Sequence, residues 1–201
     1  VFNCNNTMEG FSEKTDEQLA EVTQQGNVEA FGFLVERYQD KIQRYVKRII
    51  QGQEEYRDIS QNVFLKAFEN IKGFDTKQRF SPWVYRIAHN ETVNYLKKKK
   101  SLPLFDFDVF LPHYNIGKED IENEAEKKLF LPKIEELLEE LSFKQKEVIL
   151  LYYFQELSYQ EVAEVLKIPI ATVGVRIKRA REAIKEIASA RGGSASGGKN
   201  I

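Results

Sequence analysis

One cysteine, Cys4, in 201 residues excludes an intramolecular disulfide framework and leaves no cysteine cluster for zinc. The only histidines, His89 and His113, are far apart in sequence and neither has a Cys beside it. No Gly-rich phosphate loop and no nucleophile motif is present. The carboxylate pairs Glu135-Glu136 and Glu139-Glu140 read as a solvated helix face. These gaps argue against an enzyme, and nothing calls for a cofactor or a metal. No apolar run approaches the roughly 18 residues needed to span a bilayer, and the first residues lack a signal-peptide pattern. The expectation is a cytoplasmic protein with no membrane partner. Strand signals are nearly absent.

Helical periodicity and unevenly placed charge are what remain. Hydrophobic residues make up 42% of the chain and charged residues 30%, enough for a packed interior under a soluble surface. The net charge of −1 hides a strong pattern. Residues 41–100 carry 14 Lys/Arg against 6 Asp/Glu, residues 101–141 carry 4 against 11, and residues 170–191 carry 6 against 2. Basic, acidic, basic along one chain suggests two anion-binding surfaces separated by a segment that DNA would repel. Solvated helix faces give the same pattern, so charge alone leaves both readings open.

Met8 reads as a natural start, and the Gly/Ser-rich tail, placed at 189–201, as disordered. Between them, Thr15 and Gln18 form a capping-box pattern for a short first helix that Gly26-Asn27 ends. Phe31, Leu34, Val35, Tyr38, Ile42, Tyr45, Val46 and Ile49 keep the i, i+3/i+4, i+7 rhythm of a long core helix that Gly52 breaks. A third helix runs from about Glu54 to Ile71, with Tyr56, Ile59, Val63, Ala67 and Ile71 inward. Asp58, Gln61 and Leu65 share another side of it. After the polar loop KGFDTKQR, Ser81 and Pro82 open a fourth helix as N-cap and first-turn proline, with Phe80 and Tyr85 as a hydrophobic staple. Four helices make one compact all-α domain, residues 12–100.

Residues 101–121 hold prolines, a glycine, acidic residues and four aromatics, Phe105, Phe107, Phe110 and Tyr114. They read as an acidic linker whose rings could be buried by a domain or by a partner. A second helical domain, 122–188, follows, with Pro132 kinking or restarting its first helix. Ser142 with Gln145, and Ser158 with Glu161, are further capping boxes, opening helices of roughly 143–154 and 159–166. Lys167-Ile168-Pro169 is a turn, and a last helix covers 170–187. The fold class is all-α: two small helical domains joined by an acidic linker.

The last two helices have helix-turn-helix spacing. Tyr159, Val162, Ala163 and Leu166 face inward from the first, and Ile170, Val173, Ile177 and Ile184 from the second. Thr172, Val175, Arg176 and Arg179 are left on the outer face, flanked by Lys178 and Arg181. Such a helix fits a major groove about 12 Å wide, its N-terminal residues nearest the base edges. An ordinary bundle with a solvated basic face is the competing reading; the capping boxes, short turn and arginines favour DNA. On the fourth helix, Arg86, Asn90, Asn94 and Lys97 line one side, with Phe80, Trp83 and Tyr85 at its start. Rings beside cations suit single-strand binding, although Trp83 taken alone fits a core position better.

The stretches DISQNVFLKAFENIKGF, FSPWVYRIAHNETVNYL and LSYQEVAEVLKIPIATVGVRIKRAREAI, with the two-domain layout, resemble the extracytoplasmic-function (ECF, group IV) sigma factors of the bacterial sigma-70 family. The resemblance covers roughly residues 12–188. It implies that the first domain is region 2, whose face bearing Asp58, Gln61 and Leu65 docks on the β′ clamp coiled coil of core RNA polymerase. Loop Lys72–Arg79, with Phe74, Lys77 and Arg79, resembles the one that captures a base flipped from the −10 element. The helix bearing Trp83, Arg86, Asn90, Asn94 and Lys97 resembles the part that melts and holds the −10 strand. The second domain resembles region 4, reading the −35 element through Thr172, Val175, Arg176, Lys178 and Arg179 and meeting the β flap. The linker matches the segment threaded through the polymerase cleft. A separate anti-sigma factor is a further implied partner. A helix-turn-helix regulator, or a sigma-like adaptor placed by an auxiliary factor, are the alternatives.

One departure stands out. The family commonly has a basic or polar pair where this chain has Gly174-Val175 within TVGVR. Gly174 lowers helix propensity by about 1 kcal/mol relative to Ala and supplies no phosphate contact. Val175 can meet a thymine methyl but reads no hydrogen-bonding edge. Weakened or altered −35 recognition, resting on Thr172, Arg176, Lys178 and Arg179, follows as a hypothesis. Replacing the pair (Gly174→Arg with Val175→Ser) is expected to tighten binding to −35 duplex about tenfold and steepen its salt slope by about one. Affinity titrations at several salt concentrations check this, and an unchanged affinity and slope would refute it.

Overall fold

The computed structural model describes residues 10–51, 54–99, 134 and 136–194. The chain divides into two compact units, residues 1–104 and 105–201, and every regular element among the described residues is helical. In the first unit, α1 spans Asp16–Gln24. Thr15 Oγ1 accepts from the Gln18 N–H at 3.3 Å, and Gln18 Oε1 accepts from the Thr15 N–H at 3.0 Å, completing the capping box. Gly26 turns the chain at φ +101°, a value that suits a residue without Cβ. Asn27 then caps the next helix, its side chain accepting from the Ala30 N–H at 3.1 Å.

That helix, α2 (Val28–Ile49), is the centre of the unit. Ala30, Phe31, Leu34, Tyr38, Ile42, Tyr45, Val46 and Ile49 are buried along one stripe; Val35, expected among them, is half-buried. The helix ends at Ile49, with Gln51 left-handed at φ +58°. Gly52, expected to break it, lies outside the described residues.

α3 (Tyr56–Asn70) runs into a 3-10 turn, Ile71–Gly73, and α4 spans Phe80–Lys98. Rings join these helices to α2: Phe31 to Phe68 at 5.0 Å, Tyr38 to Phe80 at 5.4 Å and Tyr45 to Tyr85 at 5.5 Å between centroids. The last two are edge-on, the arrangement the ring quadrupoles favour. Asp16 ties α1 to α2 by accepting from the Tyr38 hydroxyl at 2.6 Å and from Arg37 Nη1 at 2.8 Å. Burial, then the Asp16 bond, raises the Tyr38 phenol well above its ordinary range, and burial does the same at Tyr85. The buried hydroxyls of Thr23, Ser60 and Thr92 donate back to the carbonyls of Leu19, Tyr56 and Ala88 at 2.6–2.7 Å, so each polar group is satisfied within its own helix.

The start of α4 differs from expectation. Ser81 is not the N-cap; the helix begins at Phe80 with Arg79 in the cap position and no side-chain bond from it. The first-turn donor is met from elsewhere, the Phe80 N–H donating to Glu17 Oε1 of α1 at 2.9 Å. Nor do Phe80 and Tyr85 staple to one another. Phe80 packs on Tyr38, Phe74 and Trp83, while Tyr85 packs on Tyr45.

In the second unit a 3-10 turn, Leu138–Glu140, precedes α5 (Phe143–Ile149), a π-helical segment (Leu150–Phe154), α6 (Tyr159–Leu166) and α7 (Ile170–Ser194). Both capping boxes form, at Ser142 with Gln145 and at Ser158 with Glu161. The single helix expected over 143–154 widens at Leu150, where the Gln155 N–H reaches back five residues to the Leu150 carbonyl at 3.2 Å. The wider turn buries Leu150, Leu151 and Tyr153 together and sets the Tyr152 ring against Tyr153 and Tyr159. α6 closes with Lys167 left-handed at φ +57°, its N–H bonded to the Ala163 carbonyl.

The core between α6 and α7 is made by Val162, Val165, Val173, Ile177, Ala180 and Ile184, all at most 2% exposed. Two inward assignments are corrected: Tyr159 is half-buried, and Ile170, at the first position of α7, is 44% exposed. α7 continues to Ser194, so residues 189–194 of the expected disordered tail are helical. Arg191, near its end, pairs with Glu140. The acidic linker 101–121, the restart at Pro132 and the remaining tail lie outside the described residues. Among the described residues no helix is long and apolar enough to cross a membrane.

Because Ser158 supplies the cap that opens α6, Ser158→Ala is expected to cost about 1 kcal/mol. A lower urea midpoint with unchanged slope would register that loss.

Candidate nucleic-acid interface

α4 turns its buried side (Val84, Tyr85, Ala88, Thr92, Leu96) toward the core of the first unit. The i, i+4 spacing therefore places Asn90, Asn94 and Lys97 outside, where they are exposed, with Arg86 half-buried at the head of the row. Trp83 is half-buried, its ring 5.1 Å from Phe74 and 5.4 Å from Phe80. Trp83 is thus packed against the core rings while remaining partly open to solvent. Phe74 has to be corrected as a base-contacting candidate. It is 5% exposed and meets Phe80 edge-on at 5.5 Å, so it supports Trp83 and Phe80 from beneath.

Between Phe74 and Phe80 the chain is polar and exposed at Asp75, Lys77, Gln78 and Arg79. Asp75 Oδ1 accepts from the Lys77 N–H at 3.0 Å and its carbonyl accepts from the Gln78 N–H at 2.9 Å. This Asx-type turn projects Lys77 and Arg79 into solvent.

On α3, Asp58, Gln61 and Leu65 are exposed on the side away from Ile59, Val63 and Ala67. Leu65 is 55% exposed and Phe68, one turn on, 40%, so the face carries apolar surface beside a carboxylate. A groove of about 210 Å³ runs between α3 and α4, lined by Asp58 and Asn62 from one side and by Glu91, Asn94 and Lys98 from the other. Asp58 and Asn94, placed by sequence on surfaces for two different partners, thus share one groove. Lys66 Nζ of α3 pairs with Glu91 of α4 at 2.5 Å, and Lys99 Nζ pairs with Glu55 at 2.5 Å.

In the second unit, Thr172, Val175 and Arg176 are half-buried on α7, while Lys178 and Arg179 are exposed. The Thr172 N–H is occupied by the Pro169 carbonyl at 2.9 Å, which seats the first turn of α7 against the helix-turn-helix turn. Ile170 leaves an exposed apolar side chain at the leading end of this helix. Gly174 and Val175 lie between the half-buried Thr172 and Arg176.

The two units match two family models, Sigma-70 region 2 over residues 34–102 and Sigma-70, region 4 over residues 131–184. The chain is 36% identical over 177 residues to the ECF RNA polymerase sigma factor SigW of Bacillus subtilis, an alignment covering 80% of this chain and 90% of that protein. The chain belongs to the ECF sigma factors of the sigma-70 family. The fold of this sigma factor is shared with CnrH, solved in complex with the cytosolic domain of CnrY (TM-score 0.63, 24% identity, 87% of this chain and 97% of that one). It is also shared with the sigma factor RpoE of Bartonella quintana, solved with the anti-sigma factor NepR (TM-score 0.59, 19% identity, 79% and 96%). At these identities the likeness is one of fold.

Sequence reasoning missed the α1 residues that hold the exposed loop, Glu17 and Gln24. Neither belongs to a motif, and their bonds span 47 to 63 residues; no local signal could have found them. The ion pair at the α3 start has a legible consequence. The bond from Lys99, its own backbone and Tyr95 together hold the Glu55 carboxyl down at about 2, against an ordinary 4.5. A lowered folded-state value contributes stability above the unfolded value, lost as pH falls through the folded one. Wild type is therefore expected to be slightly more stable than Glu55→Gln at neutral pH, the gap closing between pH 4.5 and about 2 and shrinking at high salt. Parallel thermal unfolding of the two proteins across pH measures it.

Proposed function

We propose that this chain is an alternative sigma factor that binds core RNA polymerase, recognises promoter −35 and −10 elements and helps open the −10 duplex. The observation that carries the reading is the pairing, on one chain, of a region 2 unit and a region 4 unit matched over residues 34–102 and 131–184. A plain helix-turn-helix regulator has no use for the first of these. The step requires no covalent chemistry. Unstacking one base costs a few kcal/mol, and opening about ten base pairs costs on the order of 10 kcal/mol. Captured bases and phosphate contacts offset this once polymerase holds the assembly, so region 2 alone binds DNA weakly.

In this reading Asp58, Gln61 and Leu65 dock on the β′ clamp coiled coil. Lys77 and Arg79 belong to the loop that receives a flipped −10 base. Trp83, Arg86, Asn90, Asn94 and Lys97 hold the opened strand, with Phe74 as a buried support. Thr172, Val175, Arg176, Lys178 and Arg179 face the −35 duplex, and region 4 also meets the β flap. The acidic residues of 101–121 suit a segment that sits in the polymerase cleft and yields to nascent RNA. Two relatives in fold were solved with partners, one of them an anti-sigma factor, which supports a separate inhibitory protein here. Work on polymerase places the chain in the cytoplasm.

The test is in vitro transcription with core polymerase and a library of promoter fragments. Start-site-specific transcripts are expected, and Asp58→Ala with Gln61→Ala is expected to weaken core binding at least tenfold without lowering the melting temperature. Stable core binding without transcripts would favour a sigma-like adaptor. Unchanged core affinity in the double variant would remove the docking assignment.

A further inference from the structure

The loop between the 3-10 turn and α4 is held at both ends by a single helix that carries none of the assigned contacts. At its start, Gln24 Nε2 donates to the Ile71 carbonyl at 2.8 Å and to the Phe74 carbonyl at 2.7 Å. Both amide protons of one side chain are thereby used on the two carbonyls that bracket the turn. At its end, Glu17 Oε1 accepts the Phe80 N–H at 2.9 Å, satisfying a donor that the helix cannot meet itself. Glu17 and Gln24 are seven residues apart on α1, two turns, so they lie on one face of it. α1 is in turn fixed to α2 through Asp16, Arg37 and Tyr38. Between the two anchors, Asp75, Lys77, Gln78 and Arg79 stay exposed around the Asx turn.

A rigid frame with a polar, solvent-facing middle is what selective capture of one base requires. A loop already in its binding shape loses little freedom when the base arrives, and its donors and acceptors stay in register with one base edge rather than adapting to all four. We propose that Gln24 and Glu17 of α1 are positioning residues for base selection by loop 72–79, acting through the two ends of the loop without touching DNA. The inference rests on the sigma-factor reading of that loop. It assigns to α1 a part in promoter specificity distinct from its part in the core.

The test uses the full chain bound to core polymerase and single-stranded oligonucleotides randomised over the −10 element. Gln24→Met keeps the length and removes both donors; Gln24→Glu turns two attractions toward carbonyls into repulsions. Glu17→Gln keeps an acceptor for the Phe80 N–H, whereas Glu17→Met does not. Preference for the best base over the others at the captured position is expected to fall about tenfold in Gln24→Glu, less in Gln24→Met, and to be retained in Glu17→Gln but reduced in Glu17→Met. Core affinity and the salt slope of oligonucleotide binding are expected to stay at wild-type values. Should Gln24→Glu fail to fold, Gln24→Met and the Glu17 pair decide the matter, with circular dichroism confirming their fold. Unchanged selectivity in the folded variants overturns the proposal, as does a uniform loss of affinity for every base, the mark of a purely structural role. A wild-type holoenzyme with no base preference at that position would instead defeat the loop's base-capturing role, and this inference with it.

Discussion

The buried stripe along α2 constrains everything the first unit presents. Eight side chains lie on it, and each large apolar one contributes about 1.5–3 kcal/mol by leaving water. Tyr38 and Tyr45, two turns apart on that stripe, each take a ring of α4 edge-on, Phe80 and Tyr85 respectively. Two such contacts along one helix fix the rotation of α4 about its own axis as well as its position. Once Tyr85, Ala88 and Thr92 face inward, Asn90, Asn94 and Lys97 must face outward. The candidate DNA row is in that sense a by-product of aromatic packing on the other side of the same helix.

A second constraint is backbone geometry in the helix-turn-helix. Lys167 occupies the left-handed region, which for a side chain other than Gly costs on the order of 1–2 kcal/mol. The bonds of its own N–H and of the Ile168 N–H to the Ala163 carbonyl offset part of this. The turn lets α7 leave at an angle that buries Val173, Ile177, Ala180 and Ile184 against the unit while Lys178 and Arg179 remain in solvent. The π-helical widening at Leu150–Phe154 serves the same unit by drawing consecutive apolar residues inward where a regular α-helix would have turned one of them out.

The surface chemistry follows a division of labour. Most core-facing side chains among the described residues are aliphatic or aromatic, and the buried hydroxyls of Thr23, Ser60 and Thr92 bond back to carbonyls of their own helices. Ion pairs such as Lys66–Glu91 and Lys99–Glu55 sit on the rim between α3 and α4, where screening keeps their worth small. Their position beside Asp58 and Asn94 places polymerase-facing and DNA-facing candidates on one groove.

Much of this was legible residue by residue. The three capping boxes at Thr15, Ser142 and Ser158 are interactions between neighbours three positions apart, and the stripe of α2 is a period within one helix, so order and spacing alone determine them. The outward side of α3, with Asp58, Gln61 and Leu65, follows from the same arithmetic. Contacts made across the chain had to wait for the tertiary structure. Phe74 sits in a polar loop and reads as exposed, yet it is buried because Phe80 and Trp83 come back over it. Ser81 has the chemistry of an N-cap, yet α4 starts before it because Glu17, 63 residues earlier, supplies the acceptor. Ile170 keeps the inward period of α7 but lies at the helix end, where α6 no longer covers it. The sequence by itself determined which helices form and which face of each is apolar, since those are local free energies. Only the tertiary structure decided how the loop before α4 is held and which of its side chains reach solvent, since those depend on partners that no local pattern identifies.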